Sequence, residues 1–249
     1  MPVYFPKIIT RNPSNKIVTW ADGTPAEIAA MLAAHDAGDI NIYDYWSVGD
    51  ERVVSLGAIT ANPNGAFITS MAAQNITLVL MNEGYMNQSG VHYVVGQKDG
   101  LTEYGRYVAD GGQTESWKNS LIRAALNSDY YNALDSDFRG LLKEFSVITG
   151  EYDEQSIQTV TDKVALFACK EVLNEGGYGA AIEASALTQI EYYQTTANRV
   201  KVDKKYNTDN GWMTRTPSGD WYINLITTSG AADITSIGNE IPIAPFMCI

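Results

Sequence analysis

The sequence predicts an α+β fold, with helices set apart from a twisted, mainly antiparallel sheet. Three observations carry this. Thr24-Pro25-Ala26-Glu27 is a capping box with proline at the first helical position. Short runs rich in Val, Ile, Trp and Tyr recur between Gly, Asn and Asp clusters, as in Thr77–Met81, Trp212–Arg215 and Trp221–Ile226; this is the pattern of strands joined by turns. The close, Ile241 to Ile249, is apolar, carries Pro242 and Pro245 and has no polar tail. Chain ends ordinarily fray in water, so this predicts a last strand held inside the domain.

Taken in order, residues 1–20 read as an extended arm. Pro2, Pro6 and Pro13 oppose a helix, while Ile8, Ile9, Ile17 and Val18 favour β structure. The capping box then opens a helix over 25–37, with Ile28, Met31, Leu32 and His35 at helical spacing and Gly38 as its stop. Ile40–Ile42 leads to Tyr45–Leu56, where Gly49-Asp50 reads as a turn between two strands. Thr77–Met81 is a central strand, and residues 82–112, rich in Gly, Asn and Tyr, read as a long loop or loose hairpin. Ser116 is the expected N-cap of a helix with Trp117, Leu121, Ile122 and Leu126 on one side. A second helix is expected from Asp135 to Phe145, with Leu134, Phe138, Leu141 and Leu142 inward. Val147 and Ile148 begin a strand, residues 162–168 form another, and residues 180–195 predict a helix. Trp212–Arg215 and Trp221–Ile226 form a hairpin turning at Gly219, and 243–249 is the closing strand. No repeat or linker divides the chain. The best boundary lies at residue 38, between an arm-and-helix segment for attachment or oligomerisation (1–38) and a main domain (39–249).

The composition narrows the function classes. Hydrophobic residues make up 45% of the 249, enough for a sizeable core. Charged residues are only 18%, which leaves a polar, weakly charged surface of the kind found on extracellular or particle-borne β-rich proteins. The net charge of −12 and pI of about 4.5 disfavour nucleic acid and anionic membrane as partners, since both need a basic footprint. Solubility explains the acidity, with binding of divalent cations as the alternative. No apolar run approaches the ~20 residues of a membrane span. The opening residues lack the basic-then-apolar layout of a leader, so the expectation is synthesis in a cytoplasm, the protein staying soluble or being assembled into a particle there. Cys169 and Cys248 both sit in apolar runs and read as buried thiols, a disulfide being the alternative.

Candidate chemistry is sparse. His35 and His92 are the only histidines, and Gly-x-Ser-x-Gly is absent, which removes the usual routes to a Ser-His-Asp triad. Gly176-Gly177-Tyr178-Gly179 lacks the Lys-Ser/Thr that a phosphate loop needs and reads as a turn. Glu103, Asp110 and Glu115 could supply a glycosidase carboxylate pair, whose separation a sequence does not set. Asp203, Asn207, Asp209 and Asn210, followed by Asp220 and Asn224, offer hard oxygen ligands for calcium, with Asp203 and Asp209 as the charged ones. Such clusters also make plain turns. Tyr85, Tyr93, Tyr104 and Tyr107 lie in the loop-like stretch and are the ligand-binding candidates, by sugar stacking or protein recognition, against ordinary packing. Trp117 and Trp212 read as core, with Arg123 and Arg215 hydrogen-bonded or stacked beside them.

These motif residues carry a resemblance. Ser116-Trp117, Ser120, Ile122-Arg123 and Leu126-Asn127, then Asp162-Lys163-Val164 with Leu166-Phe167, resemble a domain family of unknown function found in phages and gut bacteria. Trp212-Met213-Thr214-Arg215-Thr216-Pro217 is similar to its WWLRSP-like signature, and Pro245-Phe246-Met247-Cys248-Ile249 to its RPAFCI-like close. Met213 and Ala244 depart from the usual tryptophan and arginine. The resemblance spans roughly residues 40–249. It marks Trp117, Arg123, Asn127, Trp212, Arg215 and Pro245 as structural motif residues. The same layout resembles C-type-lectin-like folds, among them phage variable adhesins and formylglycine-generating enzymes, and residues 20–56 resemble the openings of phage virion proteins. What this implies is a non-catalytic virion structural protein with a C-type-lectin-like domain. It would be a tail or head appendage without a cofactor, calcium aside. Its implied partners are other virion proteins and a host-surface glycan; the arm, which cannot bury Ile8, Ile9, Ile17 and Val18 by itself, would do so against a neighbouring subunit, so a homo-oligomer such as a trimer is expected. Two alternatives stand beside it: a bacterial-surface carbohydrate-binding module, and an enzyme of the formylglycine-generating or glycoside-hydrolase type.

Overall fold

The computed structural model describes residues 16–60, 71–100, 104–105, 107, 116–150, 157–178, 185–203, 208–239 and 241–249. Helix α1 (Pro25–Asp36) follows the sequence signal closely. Thr24 Oγ1 accepts from Glu27 N at 3.3 Å and Glu27 Oε2 accepts from Thr24 N at 2.9 Å, which satisfies two donors that a helix start leaves open. The chain leaves through Gly38 at φ +77°. A 3₁₀ turn (Ile42–Asp44) comes next, and only one strand, β1 (Glu51–Leu56), where two were expected. Residues 45–48 are not a strand, because Trp46 is fully buried and its Nε1 donates to Val18 O at 2.9 Å, turning the chain inward.

Strand β2 (Gln74–Glu83) pairs with β1 and with β3 (Tyr93–Gln97). Of the two readings of 82–112, a long loop or a loose hairpin, the hairpin holds for its first part: β3 pairs antiparallel with β2, and all five of its residues are buried, so it shows no polar alternation. Gly96 permits the packing, since a Cβ there would run into the Met81 thioether and press on Phe167. Strand β4 (Tyr104–Gly105) is short. Trp117–Asn119 form a 3₁₀ turn, and the cap is Ser120 rather than Ser116: its Oγ accepts from Arg123 N at 3.3 Å at the start of α2 (Leu121–Ala125). A π turn (Leu126–Tyr130) carries the helix into α3 (Tyr131–Ala133). Helix α4 (Ser136–Arg139) is far shorter than the expected 135–145, yet Leu134, Phe138 and Leu141 are buried as predicted. Strands β5 (Phe145–Gly150) and β6 (Ile157–Asp162) form a hairpin.

The strand expected over 162–168 is a single bridge, Ala165 to Phe246, because the amides of Lys163 and Val164 are taken by the Asn127 side chain instead of a neighbouring strand. After α5 (Cys169–Leu173), the helix expected over 180–195 is present at residues 185–186 and does not continue: residues 187–190 are irregular and 3₁₀ turns follow at Glu191–Gln194 and Thr196–Arg199. Gln189 Nε2 donates to Val172 O and Tyr193 O, which replaces helical bonding with a side-chain tie. Strands β7 (Lys201–Asp203) and β8 (Thr208–Asn210) pair. Strands β9 (Trp212–Gly219), β10 (Tyr222–Ile226) and β11 (Ala232–Ser236) make a three-stranded sheet, then β12 (Ile241–Pro242) pairs with β4. Strand β13 (Phe246–Cys248) returns across the molecule to pair antiparallel with β3 and completes a sheet of order β1-β2-β3-β13.

The fold is therefore mixed α+β, with antiparallel sheets and short helices. Its core stacks Phe167 on Phe246 at 4.3 Å and continues through Trp46 and Trp20 to Phe138 and α1. Residues on both sides of position 38, Ile28, Met31 and Leu32 before it and Ile42 and Trp46 after it, belong to this one hydrophobic cluster, so α1 is part of the same core as the sheet. Val18 packs against the core while Ile17 stays 44% exposed; Ile8 and Ile9 lie outside the described residues. No helix among the described residues is long and apolar enough to cross a membrane.

Candidate functional site

Three buried polar nodes, each built on motif residues, set the scaffold. At the first, Asp162 accepts from Trp117 Nε1 at 2.8 Å and from Arg123 Nε at 2.7 Å. Asn127 completes it, accepting from Lys163 N and Val164 N and donating to Arg123 O and Val164 O. One helix face is thereby pinned to the end of β6. At the second, the Arg215 guanidinium is wholly buried: it donates to Glu171 Oε2 at 2.6 Å, to Leu166 O at 2.7 Å and twice to Ile148 O. Glu171 also accepts from Tyr85 OH at 2.8 Å and from Ala168 N. Burying an ion pair is tolerated only when its remaining donors and acceptors are matched, as they are here.

The third node supports an open groove. Trp212 stacks on Tyr193 at 5.9 Å and donates from Nε1 to Arg199 O at 2.8 Å. The Lys201 ammonium lies 5.1 Å from the Trp212 ring centre and 5.5 Å from that of Tyr193, and donates to Gln97 O and Lys98 O at 2.8 and 2.9 Å. Burial lowers the Lys201 pKa to about 7, opposed by Asp99. Directly outside, a groove of about 530 Å³ is lined by Glu51, Lys98, Glu191, Tyr192, Gln194 and Asn198, with Thr195 and the Val48-Gly49 turn. Its walls are fixed from several directions. Gly49 N donates to Leu80 O, Glu191 N to Asn82 Oδ1, and Asn198 Nδ2 to Tyr192 O at 2.7 Å. Lys98 and Glu51 pair at 2.6 Å across it, and this hydrogen bond raises the Lys98 pKa. Tyr192 is half-buried against Tyr193, and burial raises its pKa, so its hydroxyl stays protonated in neutral water. An aromatic ring, two carboxylates, an ammonium and amide groups face one volume, which falls within the usual range of ligand sites.

The residues singled out by sequence are distributed differently from expectation. Tyr85, Tyr93 and Tyr107 are buried rather than presented on a loop; their hydroxyls donate to Glu171 Oε1, Trp46 O and Arg215 O respectively. Their rings are core because the stretch that carries them contains β3. Tyr104 lies on β4 and Asp203 and Asp209 on the β7–β8 hairpin, but these side chains, with Asn207, Glu103, Asp110 and Glu115, lie outside the described residues. Asn224, read as a possible calcium ligand, is fully buried and bridges Tyr178 to Thr216 and Pro217. Among the described residues no group of three His, Cys, Asp or Glu could hold a metal ion. Cys169 and Cys248 are buried and not joined by a disulfide; burial, then Glu171, pushes the Cys248 thiol pKa well up, the reverse of what a reactive thiolate needs. Trp117, Arg123, Asn127, Trp212 and Arg215 are the structural nodes the motif reading anticipates, and Pro245 O accepts from Gln97 N where β13 meets β3. Sequence reasoning missed Glu171 and Lys201. Lys201 opens the charged run Lys201-Val202-Asp203-Lys204-Lys205, which looks solvated and gives no sign of burial.

Together these features define an α+β domain whose spaced Trp, Arg and Asn motifs lock the scaffold beneath a polar groove. The chain belongs to the family described as domain of unknown function DUF6273, whose model matches residues 79–249. The match begins inside β2, later than the residue-40 start of the resemblance, although β1 and α1 share its core. No curated protein and no solved structure matches the chain.

Proposed function

We propose that this chain is a non-catalytic structural protein of a phage particle, a tail or head appendage with a C-type-lectin-like domain, and that the groove at Tyr192 holds a host-surface glycan. The observation that carries the reading is the composition of that groove. Sugar hydroxyls both donate and accept, and Glu51, Glu191, Lys98, Gln194 and Asn198 offer both roles around one cavity. The half-buried Tyr192 ring supplies the flat apolar surface against which a sugar face stacks. The family resemblance and the likeness of residues 20–56 to virion-protein openings support the placement on a particle.

Binding of the full chain to an immobilised glycan panel tests the reading. Tyr192→Ala is expected to weaken binding roughly tenfold, on the order of 1.4 kcal/mol, without changing the thermal midpoint by more than a few degrees. Equal binding by wild type and Tyr192→Ala removes the groove from the proposal. Immunogold labelling of particles tests the location: label on tail or head supports it, and label on bacterial cells alone favours the surface-lectin alternative.

A further inference from the structure

His35 and His92 are the only two histidines in the chain. They come from segments far apart in sequence, α1 and the entry to β3, yet their rings meet edge to face at 5.0 Å. We propose that His35 and His92 form an acid-sensitive latch that fastens the end of α1 and the Ile42 turn to the four-stranded sheet.

Two geometric features give the pair a protonation-dependent role. His35 Nδ1 lies between a donor and an acceptor, 3.4 Å from Ile42 N and 3.3 Å from Ile40 O. A neutral ring with bare Nδ1 accepts from the Ile42 amide. A protonated ring can only donate, so it must release Ile42 and turn to Ile40 O. Ile42 is the residue whose carbonyl accepts from Tyr45 N and Trp46 N, and so it anchors the turn that seats the buried Trp46. On the other ring, His92 Nε2 is buried and lies 3.0 Å from Asp36 Oδ1, but without the alignment of a hydrogen bond. The His92 backbone is committed to the sheet: its N donates to Ile249 O and its O accepts from Gly84 N.

The surrounding charges come from every packed element. Asp36 on α1 favours the charged His92; His35 and Lys143 oppose it. Tyr43 contacts His35 at 5.3 Å, and Glu83 at the end of β2 acts on Tyr43. The Asp36 side chain is 57% exposed, so water screens the one favourable partner. Burial is the first cause that lowers the His92 pKa. The folded state therefore binds fewer protons than the unfolded state just below the ordinary value of about 6.5. Stability is full above that value and falls as the pH drops through it toward the lowered folded value. Protonating both rings also places two like charges in ring contact.

Hydrogen exchange of the full chain at pH 7.5 and 5.0, corrected for intrinsic rates, reads the latch directly. The amides of Ile42, Tyr45 and Trp46 are expected to lose protection several-fold more at pH 5.0 than the β2–β3 amides do. His35→Gln can accept from Ile42 and donate to Ile40 at either pH, so it should abolish the difference. Imidazole titration by NMR should place His92 below 6.5, moving upward in His35→Gln. An unchanged acid response in His35→Gln assigns the effect to carboxylates and overturns the latch. So does a His92 titration that is indifferent to residue 35. Neither readout depends on a His92 variant folding.

Discussion

At residue scale, one carboxylate gathers several of the Trp, Arg and Asn motif residues. Asp162 receives both Trp117 Nε1 and Arg123 Nε, and Asn127 closes the same corner by bonding to the backbone of Lys163 and Val164. Asp162→Ala leaves an indole donor and a guanidinium facing a void, which is expected to cost about 3 kcal/mol. Urea unfolding checks this, and Arg123→Ala added to Asp162→Ala should cost much less than it does alone because the two share a partner. Lys201 has the opposite character. Its folded pKa of about 7 lies below its unfolded value, so the folded state sheds its proton first. The cost of burying the charge is constant below pH 7 and relieved as pH rises from there toward the ordinary lysine value. Wild type should therefore gain about 2 kcal/mol more stability between pH 7 and 9 than Lys201→Met does. Parallel unfolding curves at the two pH values decide it.

At element scale, β3 is where the fold is most tightly specified. It is central, buried throughout, and flanked by β2 and β13. Gly96→Ala forces the buried Met81 and Phe167 to move and is expected to destabilise by about 1–3 kcal/mol, read as a lower thermal midpoint. This strand also explains what was legible beforehand. Helix α1 was readable because its capping box and spacing are local chemistry. The hairpin of β9 and β10 was readable from its flanking turn. Strand β3 was not, because a strand buried on both faces has no alternation and here sits in a Gly- and Asn-rich stretch. The helix expected over 180–195 gave way to 3₁₀ turns where Gln189 ties back to Val172 and Tyr193. No local signal records that bond.

At the scale of the whole molecule, distant segments are pinned by a few buried side chains, and the groove rests on one such point, the Lys201 cage between Tyr193 and Trp212. The homo-oligomer expected from the N-terminal arm predicts a mass above one chain in light scattering. Removal of residues 1–15 should return it to a monomer that still unfolds cooperatively, since Trp20 and α1 remain in the core. An unchanged mass after that removal transfers the contact to another surface.

The sequence by itself determined the fold class, α1 with its cap, the closing strand, and the set of Trp, Arg and Asn residues that hold the scaffold. These rest on local bonding, on hydrophobic patterning and on motif likeness, all of which are written along the chain. Only the tertiary structure decided which tyrosines are core, that Glu171 and Lys201 are buried, and that Glu51, Lys98 and Tyr192 share a groove. Those outcomes depend on contacts between residues far apart in the chain: Lys98 meets Glu51 only because β1, β2 and β3 align, and Lys201 finds its acceptors at Gln97 and Lys98 only after β3 is in place.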